Sequence, residues 1–365
     1  MRLRNMIILT GFVLLLNGCS AGQMIKYNYQ GGQYLKTQNY AQGESTFFDA
    51  VAQNPSDPTA NYYLGRFLLA NNKPKEALPY LQKAVKLNQR DTNYLFWQGI
   101  AHGESGNSKE ERQSYEQVLK INKKHVQALT YLGHNQLREK EYEAALSTYQ
   151  KVLKISPNNP SALYNRALIA KILNQSSEEK AGWLAYLEKY PSGDLAILAI
   201  NHLNQLGDFS YKNHYLGART IPLVKISFEP FSDKLYPSSK QALDVVGATA
   251  TNIGRGKLQV LVFQENNKEL AKARAIAIKQ YLNKTFPALA SEKIGVSWFG
   301  QPETLEAQGE MVQNPDSVSF FLSDLKTIIK PGKTKKKVSS LALPGKQTTS
   351  VENNVTFYFA PRIEG

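Results

Sequence analysis

The chain has 365 residues, a formal charge of +14, 42% hydrophobic residues and a single cysteine. One thiol excludes an internal disulfide, and the length predicts two or three domains. The positive balance favours anionic partners in general, but no nucleic-acid-binding motif accompanies it, so nucleic acid is excluded as the expected partner.

At the N-terminus Arg2 and Arg4 precede an almost wholly apolar run from Met6 to Leu16, then Gly18 and Cys19. This is the order of a secretory signal, and the run is about half the ~20 residues a spanning helix needs. Leu16-Asn17-Gly18-Cys19 resembles the lipobox of bacterial lipoproteins, with Asn17 where a small or apolar residue is usual. The resemblance implies a signal peptide at 1–18, acylation of Cys19, and a lipidated N-terminus at 19–23. Acyl chains would anchor the chain at ~0.8 kcal/mol per buried methylene. Ser20 follows the cysteine, which in this class implies the outer membrane and a periplasm-facing body.

From Met24 to Gly193 the chain divides without insertion into five segments of 34 residues, beginning at 24, 58, 92, 126 and 160. The eighth position reads Gly31, Gly65, Gly99, Gly133 and Ala167. The twenty-fourth reads Phe47, Leu81, Tyr115, Tyr149 and Trp183, and Pro55, Pro157 and Pro191 fall at the thirty-second. Small residues let two helices approach while a large side chain fills the space opposite, and proline stops the second helix. Period and positions resemble tetratricopeptide repeats. The twentieth position is small in three copies but Glu111 and Glu179 in the others, which predicts looser hairpins there. Residues 194–208 match one further first helix and serve as a cap, with Ile197 and Ile200 inward and Asn201, His202 and Asn204 toward solvent.

The tetratricopeptide resemblance implies a concave wall, built from the first helices, that binds a protein partner. Projecting the wall positions onto this chain gives Asn28, Tyr62, Arg66, Phe96, Ile100, Thr130, His134, Arg138, Tyr164 and Lys171. Aromatic and basic groups together suit a segment carrying acids.

After residue 208 the period stops. A linker is expected over 209–222, followed by a domain at 223–361. "LVKISFEP" alternates Val224, Ile226 and Phe228 against polar residues, as a half-buried strand does. Helical patterns run from Ser238 to Asn252 and over "NNKELAKARAIAIKQYLNKTF"; "KLQVLVFQ", "IGVSWFG" and "NNVTFYFAP" read as strands. The fold class expected is therefore multidomain: an all-α solenoid, then an α+β domain with a mixed sheet of about four strands and helices on one face. Between the last two strands lies an insertion at about 306–350, containing a helix over "SVSFFLSDLKTII" and a basic turn from Lys330 to Lys337.

Asn267 to Ala275 keeps the N-x-x-L-S-x-x-R-A pattern of the OmpA-like peptidoglycan-associated domain except for its serine, which is Ala271. "SFEPFSDKLYPSSKQALD", "FGQPE" and "ENNVTFYF", with Asn354 where an arginine is usual, resemble other parts of that family. The resemblance implies that an acid and Arg274 hold diaminopimelate of the peptidoglycan stem. The acid falls at Glu265, one methylene longer than the family's aspartate, with only Asn266 between it and Asn267. Arg274 as a plain helix-surface charge in a domain kept for docking is the other reading.

The five histidines, His102, His125, His134, His202 and His214, show no metal-ligand spacing. Ser323-Asp324-Leu325-Lys326 matches S-x-x-K without the companion motifs of penicillin-binding enzymes. No cofactor, metal or catalytic residue is expected. The chain reads as a non-catalytic lipoprotein scaffold for an envelope machine such as a pilus or secretion system. A tether between outer membrane and peptidoglycan is the alternative, and a cell-wall hydrolase or its regulator the second.

Overall fold

A computed structural model describes residues 21–323 and the backbone of 351–352 and 355–356. Cys19, the lysine-rich turn at 330–337 and most of the expected closing strand lie outside the described residues. The chain divides into two compact units between Pro157 and Asn158.

The first unit contains four helical hairpins. Helix α1 covers residues 21–36. It is followed by α2 (Tyr40–Gln53), α3 (Pro58–Ala70), α4 (Pro74–Leu87), α5 (Thr92–Glu104), α6 (Ser108–Ile121), α7 (Val126–Arg138) and α8 (Tyr142–Ile155). First helices start 34 residues apart because the capping chemistry recurs at that interval. Asp57, Asp91 and His125 each accept a hydrogen bond from a backbone N–H of the first turn they precede, satisfying donors that a helix start leaves orphaned. Each hairpin turns through one residue at positive φ: Gln38, Asn72, Gly106 and Lys140.

The small residue at the eighth position has the predicted reason. A Cβ on Gly65 would stand 2.5 Å from Leu81, one on Gly99 2.5 Å from Tyr115, and one on Gly133 2.8 Å from Tyr149. The side chain opposite is therefore the twenty-fourth residue of the same repeat, and it is fully buried in all three pairs.

The expected loosening at Glu111 does not occur. Its side chain is fully buried, accepting hydrogen bonds from Tyr115 Oη (3.2 Å) and Asn135 Nδ2 (3.0 Å) and pairing with Arg138. Room comes from Gly103, where a Cβ would lie 2.7 Å from the Glu111 carboxyl. Repeats one, two and four carry Leu35, Leu69 and Leu137 at that twelfth position opposite a small residue. The third repeat exchanges large for small across the interface and keeps the volume.

The second unit holds the fifth hairpin, α9 (Pro160–Ile172) and α10 (Ser176–Lys189), the cap α11 (Asp194–Gln205), and a sheet. Glu179 is accommodated here as well, buried and accepting from Trp183 Nε1 at 3.1 Å, while Gly182 fits against Ala167.

The expected linker is instead a β-hairpin, β1 (Tyr211–Leu216) and β2 (Arg219–Val224), closed by Gly217 at φ 63° and Ala218. A two-residue loop with glycine first matches the right-handed strand twist. Asn213 on β1 donates to the Ile197 carbonyl and to Asn201 Oδ1 of α11, each at 2.9 Å, so the hairpin packs on the cap. The cap's polar residues are correspondingly engaged. His202 stacks on Trp183 with centroids 5.0 Å apart, and Asn204 donates to the carbonyls of Asp208 and Tyr211.

Beyond the hairpin come α12 (Pro237–Ile253), β3 (Lys257–Gln264), α13 (Lys268–Thr285), β4 (Ile294–Phe299), β5 (Glu303–Ala307), β6 (Glu310–Asn314) and β7 (Asp316–Ser323). The main sheet has five strands in the order β2-β1-β7-β3-β4, with β1 parallel to β7, β7 antiparallel to β3 and β3 parallel to β4. Leu258, Val260 and Val262 of β3 bury against Leu243, Val246 and Ala250 of α12 and Ala271, Ala275 and Ile278 of α13. Strand β2 ends at Val224, earlier than the alternation through Phe228 predicts; Ile226 and Phe228 enter the core from irregular chain.

The start of the expected insertion helix is the strand β7, which lies between β1 and β3. Val318, Phe320 and Leu322 pair with Val262, Val260 and Leu258, while Phe321 is 40% exposed. That two-residue alternation with branched and aromatic side chains is a strand pattern. The hairpin β5–β6 delivers the chain to it. Near the C-terminus Val351–Glu352 and Val355–Thr356 pair with each other as short strands β8 and β9.

Candidate functional site

The first helices of repeats two to five, α3, α5, α7 and α9, are buried on nearly every side. In α3 all residues from Thr59 to Leu69 are buried, and in α9 all from Ser161 to Ala170 except Arg166. Most of the expected wall residues therefore pack inside the helical array. Phe96 meets Tyr115 and Tyr131 edge or tilted at 5.8 and 5.4 Å, and Ile100 is 1% exposed. His134 lies between Tyr131 and Tyr149, and Thr130 Oγ1 donates to the Val126 carbonyl of its own helix. Tyr164 is buried against Trp183 and Tyr186. A long aromatic at the fifth position reaches the neighbouring helix, so it becomes packing instead of an open contact. Asn28 is exposed on α1, and Arg138 is partly exposed with one arm on Glu111.

Arg66 and Tyr62 form the feature that stands apart. Arg66 Nη1 donates to Tyr62 Oη at 3.2 Å, and the guanidinium carbon sits 4.0 Å from the Trp97 ring centroid. Tyr62 packs in turn on Tyr94 at 4.9 Å. Arg66 is only 9% exposed, its Nε has no acceptor, and no carboxylate reaches it among the described residues. Burial pushes the Tyr62 hydroxyl up to about 12, so it stays a neutral acceptor for the guanidinium at all ordinary pH. Trp97 and Tyr94 were not among the expected wall residues; aromatic residues one helix further on are the signal that points to them.

Lys171 lies in the second unit. Its Nζ is 2.7 Å from His202 Nδ1, and it lines a cleft of about 540 Å³ with Glu179, Gln205, Glu306 and Gln308. Burial lowers the pKa of Lys171, and burial first and Lys171 second push His202 down to about 4, so the imidazole is the neutral acceptor of this contact.

The three residues expected to hold diaminopimelate are not brought together as a clamp. Glu265 is exposed after β3. Asn267 is the N-cap of α13, its Oδ1 accepting from Leu270 N at 2.9 Å. Arg274 is 4% exposed and engaged through Nε and Nη1: Nε donates to the Ser232 carbonyl, Nη1 bonds Gln264 and pairs with Asp316 at 3.3 Å, and the Phe228 ring lies 4.7 Å from the guanidinium carbon. It is neither a helix-surface charge nor, in this arrangement, a free fork for a ligand carboxylate. The residue that answers its charge, Asp316, opens β7, one residue before the helix expected from Ser317.

Among the described residues no three His, Cys, Asp or Glu side chains gather as a metal site, and no helix is long and apolar enough to cross a membrane.

Comparison with known families places the helices. "Tetratricopeptide repeat" matches residues 32–94 and 68–125, and "TPR repeat" matches 136–170. The helical region is a tetratricopeptide repeat array. The sheet is assigned to no family by these matches. No match to a curated protein is found. Among solved structures the chain is similar to the MamA protein (17% identity over 46% of this chain and 91% of that one, TM-score 0.41). It is also similar to YrrB, described as a TPR protein with an unusual peptide-binding site (17%, 48% and 90%, TM-score 0.42). A third is pilF of Pseudomonas aeruginosa (18%, 52% and 90%, TM-score 0.45). At such identities and scores these likenesses carry no functional argument.

Proposed function

We propose that the chain is a non-catalytic scaffold whose tetratricopeptide repeats hold a protein segment bearing a carboxylate at Arg66. The repeats support binding of a protein or peptide in general. The observation that carries the finer reading is a guanidinium seated on Trp97, fixed by Tyr62, and lacking an anion. An unanswered buried charge is costly, and a planar fork with free donors is built to take a carboxylate. In-cell crosslinking followed by capture tests it. Arg66→Glu is expected to lose the partner recovered with wild type by at least about tenfold, the equivalent of one charge-assisted contact. A partner retained at wild-type level by a folded Arg66→Glu protein sinks the reading.

The setting is the bacterial envelope, on the strength of Arg2, Arg4, the apolar run to Leu16 and Cys19. In this reading lipid on Cys19 anchors the chain in the outer membrane, the body faces the periplasm, and the partner belongs to an envelope machine such as a pilus or secretion system. Radiolabelled palmitate is expected to enter the wild-type chain and not Cys19→Ser; equal labelling of both removes the anchor. The sheet is read as a divergent OmpA-like domain on the Asn267–Ala275 pattern. Engagement of Arg274 by Asp316 favours a docking role for it over a peptidoglycan tether.

A further inference from the structure

The second helices of the middle three repeats end alike. α4, α6 and α8 each close on a lysine and then an aliphatic residue: Lys86-Leu87, Lys120-Ile121 and Lys154-Ile155, at 34-residue spacing. Leu87, Ile121 and Ile155 are 43%, 42% and 38% exposed, so each keeps part of an aliphatic side chain at the surface. The flanking repeats break the pattern, with Ala52-Gln53 and Glu188-Lys189 at the equivalent places.

Cations gather around this row. Lys83, Arg90, Lys123, Lys124 and Lys151 are exposed near the same helix ends, and none of them, nor the three helix-closing lysines, has an ion-pair partner among the described residues. Of the acids nearby in sequence, Asp91 is committed to capping α5, which leaves Glu116. A furrow of about 640 Å³ brings Lys86, Arg90, Lys120 and Ile121 together. The helix dipole accounts for a lysine in each last turn. It does not account for the five other cations or for the recurrence of a partly exposed aliphatic side chain beside each lysine.

We propose that this edge of repeats two to four is a contact surface for an anionic phospholipid bilayer. A soluble polyanion would need the cations alone. A partner helix would need a continuous apolar strip, whereas these aliphatic groups stand singly, one per repeat, with lysines between. A bilayer offers both requirements in one plane: headgroup phosphates for the long lysine side chains and, just beneath, hydrocarbon for short aliphatic ones. The surface acts whether or not Cys19 carries lipid, and it leaves the Arg66 site free.

The test is sedimentation of the purified full chain with phosphatidylcholine vesicles, with and without phosphatidylglycerol. Attachment through residues 1–19 acts on both, so the ratio of the two affinities reads the edge. Wild type is expected to prefer the anionic vesicles by at least about tenfold, a preference that falls with salt. Lys86→Glu/Lys120→Glu/Lys154→Glu is expected to bring the ratio close to one. Leu87→Ser/Ile121→Ser/Ile155→Ser, with every charge kept, is expected to weaken anionic-vesicle binding severalfold. Lys240→Glu/Lys268→Glu/Lys284→Glu, the same charge change placed elsewhere, is expected to keep most of the preference. All nine positions are exposed, and circular dichroism checks that each variant is folded. Equal wild-type binding to both vesicles overturns the proposal, as does an unchanged ratio in the edge-lysine variant or an equal loss in the control. Unchanged binding by the serine variant overturns it too, leaving a purely electrostatic site for an acidic protein or polymer.

Discussion

Glu111 shows how much one buried residue depends on another forty positions or fewer away. Its carboxylate holds Tyr115, Asn135 and Arg138, and it occupies space that Gly103 leaves open. Glu111→Ala would strand Arg138 and open a cavity, with an expected cost of about 3 kcal/mol in urea unfolding. Gly103→Leu/Glu111→Ala restores the leucine-over-small pairing of the other repeats and is expected to recover most of that loss. If the double variant is no more stable than the single one, the exchange of volumes is not what seats the glutamate. The sequence displayed Glu111 as a violation because its compensation sits in the preceding helix, outside any single consensus position. Arg66 is a parallel case: its place in the repeat was legible, but its Trp97 platform belongs to the next repeat.

At the scale of elements, the cap α11 works because its two faces find different partners. Its inner face takes Trp183 on His202, and Asn201 with the Ile197 carbonyl receives Asn213 of β1. The His202 contact makes the second unit sensitive to acid. Burial, then the charge of Lys171, holds His202 down to about 4, against an ordinary 6.5. An unfolded chain binds a proton there as pH falls below 6.5 while the folded one does not. The stabilisation is therefore complete above that value and is lost progressively as pH falls toward 4, by up to about 3 kcal/mol. Unfolding followed by tryptophan fluorescence at pH 7.5 and 4.5 checks this, and His202→Gln is expected to flatten part of the slope. His214, buried beside Phe320 and pushed down to about 3 by burial and Lys212, contributes in the same direction. A variant slope equal to wild type would mean that His202 does not carry the effect. The helix starts and stops of the repeats were legible because caps recur every 34 residues. The β1–β2 hairpin was not, since six-residue strands around Gly217 resemble a polar linker until they are paired.

At the scale of the whole molecule, a largely buried charge network fixes the sheet of the second unit. Lys212 of β1 donates to both Glu303 oxygens at 2.7 and 2.6 Å, and Ser317 and Ser319 of β7 donate to the same carboxylate. Burial pushes Glu303 up, but the Lys212 charge and the bonds from Lys212, Ser317 and Ser319 outweigh it and hold the acid below its ordinary range. Glu303→Ala is expected to cost about 3 to 5 kcal/mol, because Lys212 is left buried without a partner, whereas Lys212→Met/Glu303→Leu is expected to recover most of it. The loss should appear in the unfolding of residues 158–323 and leave the helices before Pro157 unchanged by hydrogen exchange. Uniform loss of protection in both units would contradict that localisation.

The sequence by itself determined the repeat array. Its 34-residue period, small residues at the eighth position and large ones at the twenty-fourth are local rules, each repeat carrying the instructions for its own hairpin. It also marked β3, α12, α13 and β4, whose periodicities are unambiguous over eight or more residues or bounded by clear turns. Only tertiary structure decided the rest. Burial at the fifth and ninth positions depends on neighbouring helices, "SVSFFLS" becomes a strand because β1 and β3 offer unpaired edges on both sides, and Arg274 takes Asp316 from 42 residues away. Those outcomes depend on which surfaces meet, and no window of the chain contains both partners.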